Sequence, residues 1–88
     1  MPTISMFFGI IIRMYFAPKE HRPPHCHVYY QEFKAIVDIN KCEIVEGDLP
    51  SKQSKLVLAW AEVHKEELMA DWKLCQQGEQ PFRVDPLR

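Results

Sequence analysis

The sequence predicts an α+β protein in which a small antiparallel sheet of three or four strands packs against one long C-terminal helix. Two patterns carry that expectation. Short β-branched and aromatic runs, broken by turn residues, fill the chain as far as Gly47, and apolar side chains then recur at three- and four-residue steps from Ser51 to about Gln77. At 88 residues and 47% hydrophobic, the chain has enough apolar content for one core, with room to bury only about 60–65% of its extended surface. Residues 1–88 are therefore read as a single domain, with strands between about 9 and 46, a helix over about 51–77 and an irregular tail over 78–88.

The first strand is expected over Gly9–Phe16, a β-branched and aromatic run that is closed by Pro18. Period-two alternation places Ile10, Ile12, Met14 and Phe16 on one face and Ile11, Arg13 and Tyr15 on the other. Pro23 and Pro24 hold the next connection extended, because each ring fixes φ and restricts the residue before it. His25–Tyr30 forms the second strand, and Gln31 and Glu32 turn the chain into a third, Lys34–Ile39. A further turn at Asn40 and Lys41 leads to a fourth, Cys42–Val45, which ends at Gly47. The helix has Ser51 or Asp48 as candidate N-caps and Gly78 at its stop. Its stripe of Val57, Trp60, Ala61, His64, Leu68, Trp72 and Cys75 must lie on the sheet. In the tail, Phe82 is expected to tuck onto the domain.

Lys and Arg number 11 against 12 Asp and Glu, so binding of nucleic acid through bulk positive charge is excluded, while a local basic patch remains open. The apolar run from Ile4 to Phe16 is interrupted by Ser5, Gly9 and Arg13 and falls short of the ~20 residues of a membrane span. No basic segment precedes it, so a cytoplasmic protein without membrane attachment is expected. Cys26, Cys42 and Cys75 are widely spaced and form no CxxC pair, which fits reduced thiols.

Chemistry is concentrated in His21-Arg-Pro-Pro-His25-Cys-His27. His25 and His27 lie two apart on a strand, so both imidazoles leave the same face, at a spacing that suits either a shared ion or an acid and a base flanking one bond. An equally simple reading makes them the solvent face of a strand whose other face, with Cys26 and Val28, packs inward. His64, on the apolar helix stripe, is either a hydrogen-bonded core residue or a third ligand, giving His25, His27 and His64 as an open zinc-type set in which a divalent metal would sit. Glu20, Asp38 and Glu62 are candidate supporting carboxylates. Arg13, Arg22 and Lys34 form a candidate anion patch, with Arg13 placed to steady a phosphate, and Tyr15, Tyr29 and Tyr30 offer stacking surfaces. Cys26 alternates away from its flanking histidines and is read as a structural thiol.

The segments Pro2-Thr-Ile-Ser5, Phe8-Gly-Ile-Ile-Ile-Arg-Met-Tyr15, His21-Arg-Pro-Pro-His25-Cys-His27-Val28 and Trp60-Ala-Glu-Val-His64 with Glu67-Leu68 together resemble a widespread bacterial domain-of-unknown-function family of small proteins. The resemblance spans nearly the whole chain. Its members are often encoded beside another small protein, an arrangement that has placed some among candidate toxin–antitoxin components. It implies a small protein partner, with RNA or a second copy of the chain as further candidates. It also puts His21, Pro23, Pro24, His25, His27 and His64 at signature positions, so that His21, Arg22, Pro23, Pro24 and Tyr29 become the expected binding rim around His25, His27 and Arg13. A non-catalytic interaction module is the competing expectation.

Overall fold

The structure is a computed structural model that describes residues 2–16 and 22–87. Five antiparallel strands follow one another across a single sheet in the order β1 to β5: β1 Thr3–Phe7, β2 Ile10–Arg13, β3 His25–Tyr30, β4 Phe33–Asp38 and β5 Glu43–Gly47. Two helices follow, α1 Ser51–Val63 and α2 Lys65–Gln76. The α+β class is as expected, but the sheet has five strands where three or four were predicted. The additional strand is β1. Phe7 pairs with Ile10, so Phe8 and Gly9 alone make the turn, at φ 49° and 78°. Positive φ at both central residues is the tight hairpin geometry whose twist matches that of the strands.

The long helix is interrupted once, at His64 (φ −105°, ψ 21°). Helical hydrogen bonds still run across the break, from His64 N–H to the Trp60 carbonyl (3.0 Å) and from Leu68 N–H to the His64 carbonyl (2.9 Å). Neither Ser51 nor Asp48 caps the start: Pro50 occupies the N-cap position, without a side-chain cap. Gly78 does end the helix, at φ 76°. Its N–H reaches the Cys75 carbonyl (3.1 Å) and the Glu79 N–H reaches that of Leu74 (2.8 Å), the paired bonds of a left-handed glycine stop.

The helices cover the Cys26/Val28 face of the sheet. Ile10, Ile12, Met14, Cys26, Val28, Val37 and Ile39 from the sheet side and Val57, Trp60, Leu68, Trp72 and Cys75 from the helices form one buried cluster. The helix stripe is buried as expected, apart from His64, which is only partly covered. Phe16 and Phe82 depart from expectation, Phe82 being 75% exposed. In its place Pro81 and Val84 are buried. Three hydrogen bonds tie this segment down: Trp60 Nε1–H to the Asp85 carbonyl (2.8 Å), Phe82 N–H to Asp71 Oδ1 (2.9 Å) and Val84 N–H to the Ile4 carbonyl (2.8 Å). Among the described residues no helix is long and apolar enough to cross a membrane.

Candidate functional site

With the helices on one face, the other face of the sheet is left to the side chains that alternate outward. The strand register arranges these in rows. One row runs Thr3, Arg13, His27, Ile36, Glu46, and the next runs Met6, Ile11, Tyr29, Lys34. Neighbouring strands lie about 4.8 Å apart, so Arg13 stands one strand to one side of His27 and Glu46 roughly 10 Å to the other. Two grooves open on this face. The larger, about 480 Å³, is lined by Tyr15, His27, Tyr29, Lys34, Ile36 and Glu46, with backbone at Ala35 and Gly47. The smaller, about 320 Å³, is lined by Arg22, Pro23, His25, Asp38, Lys41 and Val45, and shares Ile36 and Glu46 with the first.

The two imidazoles sit side by side, ring centroids 5.3 Å apart, in an aromatic series that continues to Tyr15 on one side (4.5 Å from His27) and Trp72 on the other (5.0 Å from His25). His25 is only 8% exposed. Its Nδ1–H donates to the Pro23 carbonyl (2.9 Å), which fixes the ring and commits Nδ1, so that proton exchange falls to Nε2. Burial holds His27 below the ordinary imidazole range, and the positive charges of His25 and Arg22 add to this against the opposing pull of Glu46. A neutral imidazole beside a second imidazole in a cleft is a functional-site signature.

Arg13 lays its guanidinium over the Tyr29 ring, 5.3 Å from the centroid, and its buried Nε has no hydrogen-bond partner among the described residues. The Tyr15 and Tyr29 hydroxyls hydrogen-bond to each other, and that bond is the main cause pushing the Tyr29 phenol above its ordinary value. These contacts hold the tyrosines, the arginine and His27 as one packed group.

Several expected residues are thereby brought together: Arg13, His25, His27 and Tyr29, with Arg22 and Pro23 at the rim. Pro24 is structural, its carbonyl accepting from Ile39 N–H (3.0 Å). His21 and Glu20 lie outside the described residues. The His25/His27/His64 set is not assembled. His64 belongs to the helix layer on the opposite face, where its ring packs on Trp60 (5.6 Å) and its Nδ1–H donates to Glu67 Oε1 (2.7 Å). Among the described residues no group of three or more His, Cys, Asp or Glu is placed to hold a metal ion. Asp38 accepts from Lys41 N–H (2.9 Å) and so shapes the turn after β4. Cys26 is a buried free thiol, pushed up to about 12 by burial, as suits a structural role.

A match to the family model "Domain of unknown function (DUF4160)" extends over residues 9–73. The chain belongs to the DUF4160 family. The matched segment contains the whole histidine face, β2 to β5, and most of both helices. No curated protein and no solved structure matches the chain.

Glu46 and Trp72 are the site residues that sequence reading did not assign. Trp72 reads as a core anchor, and is one, but it also backs His25. Glu46 reaches the outer face through an irregularity: Val37 pairs with Ile44 whereas Ile36 pairs with Glu46, so β5 spends an extra residue between them. Simple alternation would have put Val45 opposite Ile36 and turned Glu46 inward.

Proposed function

We propose that this DUF4160 protein binds single-stranded RNA on the outer face of its sheet and cleaves it there, with His27 and His25 as base and acid. The observation that carries the reading is the imidazole pair, 5.3 Å apart, beside an arginine whose buried Nε has no hydrogen-bond partner among the described residues. Neutral His27 takes the proton from a ribose 2′-hydroxyl, whose oxygen attacks the adjacent phosphorus. Protonated His25, through Nε2, gives a proton to the departing 5′-oxygen. A 2′,3′-cyclic phosphate and a free 5′-hydroxyl result. Arg13 steadies the added negative charge on the phosphate. Tyr15, Tyr29 and Lys34 provide stacking and backbone contacts of the kind single strands use. Three free thiols suit a reducing, cytoplasmic setting, and the activity would serve a toxin–antitoxin-like unit shared with a small protein partner.

The test is incubation with a mixed-sequence single-stranded RNA in the presence of a chelator, followed by end-group analysis. Cyclic phosphate ends are expected, with a loss of about 100-fold or more in His27→Ala and His25→Ala, the usual scale of one acid–base group. Equal cleavage by both folded variants, or none by the wild type, overturns the assignment.

A non-catalytic interaction module is the second reading. It is favoured by β5, which closes the strand order and carries Val45 at 52% exposure, and by Phe8, 60% exposed at the tip of the first hairpin. It predicts that substitutions on the histidine face change affinity for the neighbouring gene product, or for a second copy of the chain, with no turnover to lose.

A further inference from the structure

We infer that Glu46 reads the base of the bound RNA and selects guanine, an inference that rests on the outer face being an RNA site. The row Arg13, His27, Ile36, Glu46 runs from cation to carboxylate. A phosphate belongs at the Arg13/His27 end, where the charge is positive. A carboxylate at the other end repels phosphate, so it has no place in a site that recognises the backbone alone. Between the two ends lies an apolar floor, Ile36 with Ala35 and Gly47, the last of which carries no side chain, and Lys34 lines the same groove. The floor is walled by Tyr15 and Tyr29 and is open to a planar ring.

The base of a nucleotide held by its phosphate at Arg13/His27 is then directed over Ile36, with its edge toward Glu46. Carboxylate oxygens accept hydrogen bonds and cannot donate them. On its Watson–Crick edge guanine offers two adjacent donors, N1–H and the N2 amino group, matched to the two oxygens of one carboxylate. Cytosine and adenine each offer one donor next to an acceptor. Uracil offers one donor flanked by two carbonyl oxygens, which the carboxylate repels. Glu46 lines both grooves, so the selected base sits next to the His25/His27 pair and the bond to be cleaved is the one following it.

The experiment uses fluorescence-labelled octamers with 2′-deoxy sugars at the cleavage positions, so that binding is read without turnover: one all-uridine, one with a central guanosine, and one with inosine in place of that guanosine. Wild type is expected to prefer guanosine over all-uridine by about 10- to 100-fold, the range of one good bidentate base contact. Inosine, which lacks the N2 amino group, should fall between. Glu46→Gln keeps the size of the side chain at an exposed position but presents one acceptor and one donor. It should bring the three octamers within about threefold of one another while binding all-uridine at least as well as wild type does. Equal wild-type affinity for all three, or a guanosine preference that survives in Glu46→Gln, overturns the role of Glu46 and leaves RNA binding standing. Absence of binding to any octamer overturns the RNA reading itself, and this inference with it.

Discussion

His27 is half-buried on the outer face of the sheet, and its lowered pKa has a consequence for stability as well as for chemistry. In the unfolded chain its imidazole takes a proton near the ordinary value of about 6.5, while in the folded protein burial and the neighbouring cations resist that proton. Above that pH both states are neutral and the residue costs nothing. As pH falls through it, the unfolded chain gains a proton the folded chain refuses, so stability declines until the lowered folded value is reached. Urea unfolding at pH 7 and pH 5 should show wild type losing more stability on acidification than His27→Gln does; equal losses would mean that His27 titrates as a free imidazole. That His25 shares a face with His27, and Arg13 with Tyr15, was legible from period-two alternation; which face the helices cover was not, because both faces of these strands carry apolar side chains. Glu46 was not, because a one-residue irregularity in β5 reverses which side chain faces out, and nothing in Glu-Ile-Val-Glu-Gly marks it.

At the scale of elements, the predicted and observed boundaries differ where local chemistry is unusual. β3 was legible to the residue, since Pro24 before it and Gln31 after it punctuate the run. β1 was hidden because its turn uses Phe8, a bulky residue at φ 49°, where Asn or Asp before the glycine would have announced a hairpin. The helix end was legible because Gly78 is the residue that left-handed backbone favours. A β-carbon there would meet no atom within 4 Å, so the space is open and only the backbone conformation is at stake. Gly78→Ala should therefore cost roughly 1–2 kcal/mol, the price of placing an L side chain in that region. Thermal denaturation measures it, and an unchanged midpoint would show that the stop tolerates a different conformation. The break at His64 had no such marker. It falls within a periodic run, at a residue whose side chain turns to Glu67 as well as to Trp60.

Across the whole molecule, stability and the candidate site occupy opposite faces of one sheet. The core lies between the sheet and the helices, and residues 81–87 extend it: Pro81 and Val84 are buried, Leu87 packs against the cluster, and backbone bonds reach Asp71, Trp60 and Ile4. That docking was illegible in the sequence, because each bond joins residues distant along the chain and the obvious anchor, Phe82, points outward. Removing residues 81–88 would expose Val84's share of the core, worth about 1.5–3 kcal/mol. It would also strip the partner from Trp60 Nε1–H and from one oxygen of Asp71, whose other oxygen already lacks one among the described residues. The entropy regained by a free tail offsets part of this. A net loss of about 2 kcal/mol is expected, enough to lower the melting midpoint of a domain this size by roughly 8–16 °C. None of these contacts touches Arg13, His27, Tyr29 or Glu46. Below its midpoint the truncated protein should keep the wild-type affinity for the guanosine octamer and the lowered His27 titration, read by NMR of the imidazole ring. If affinity falls in step with stability at a temperature where the sheet is folded, the two faces are coupled through the strands, and Trp72 behind His25 is the contact through which the coupling would pass.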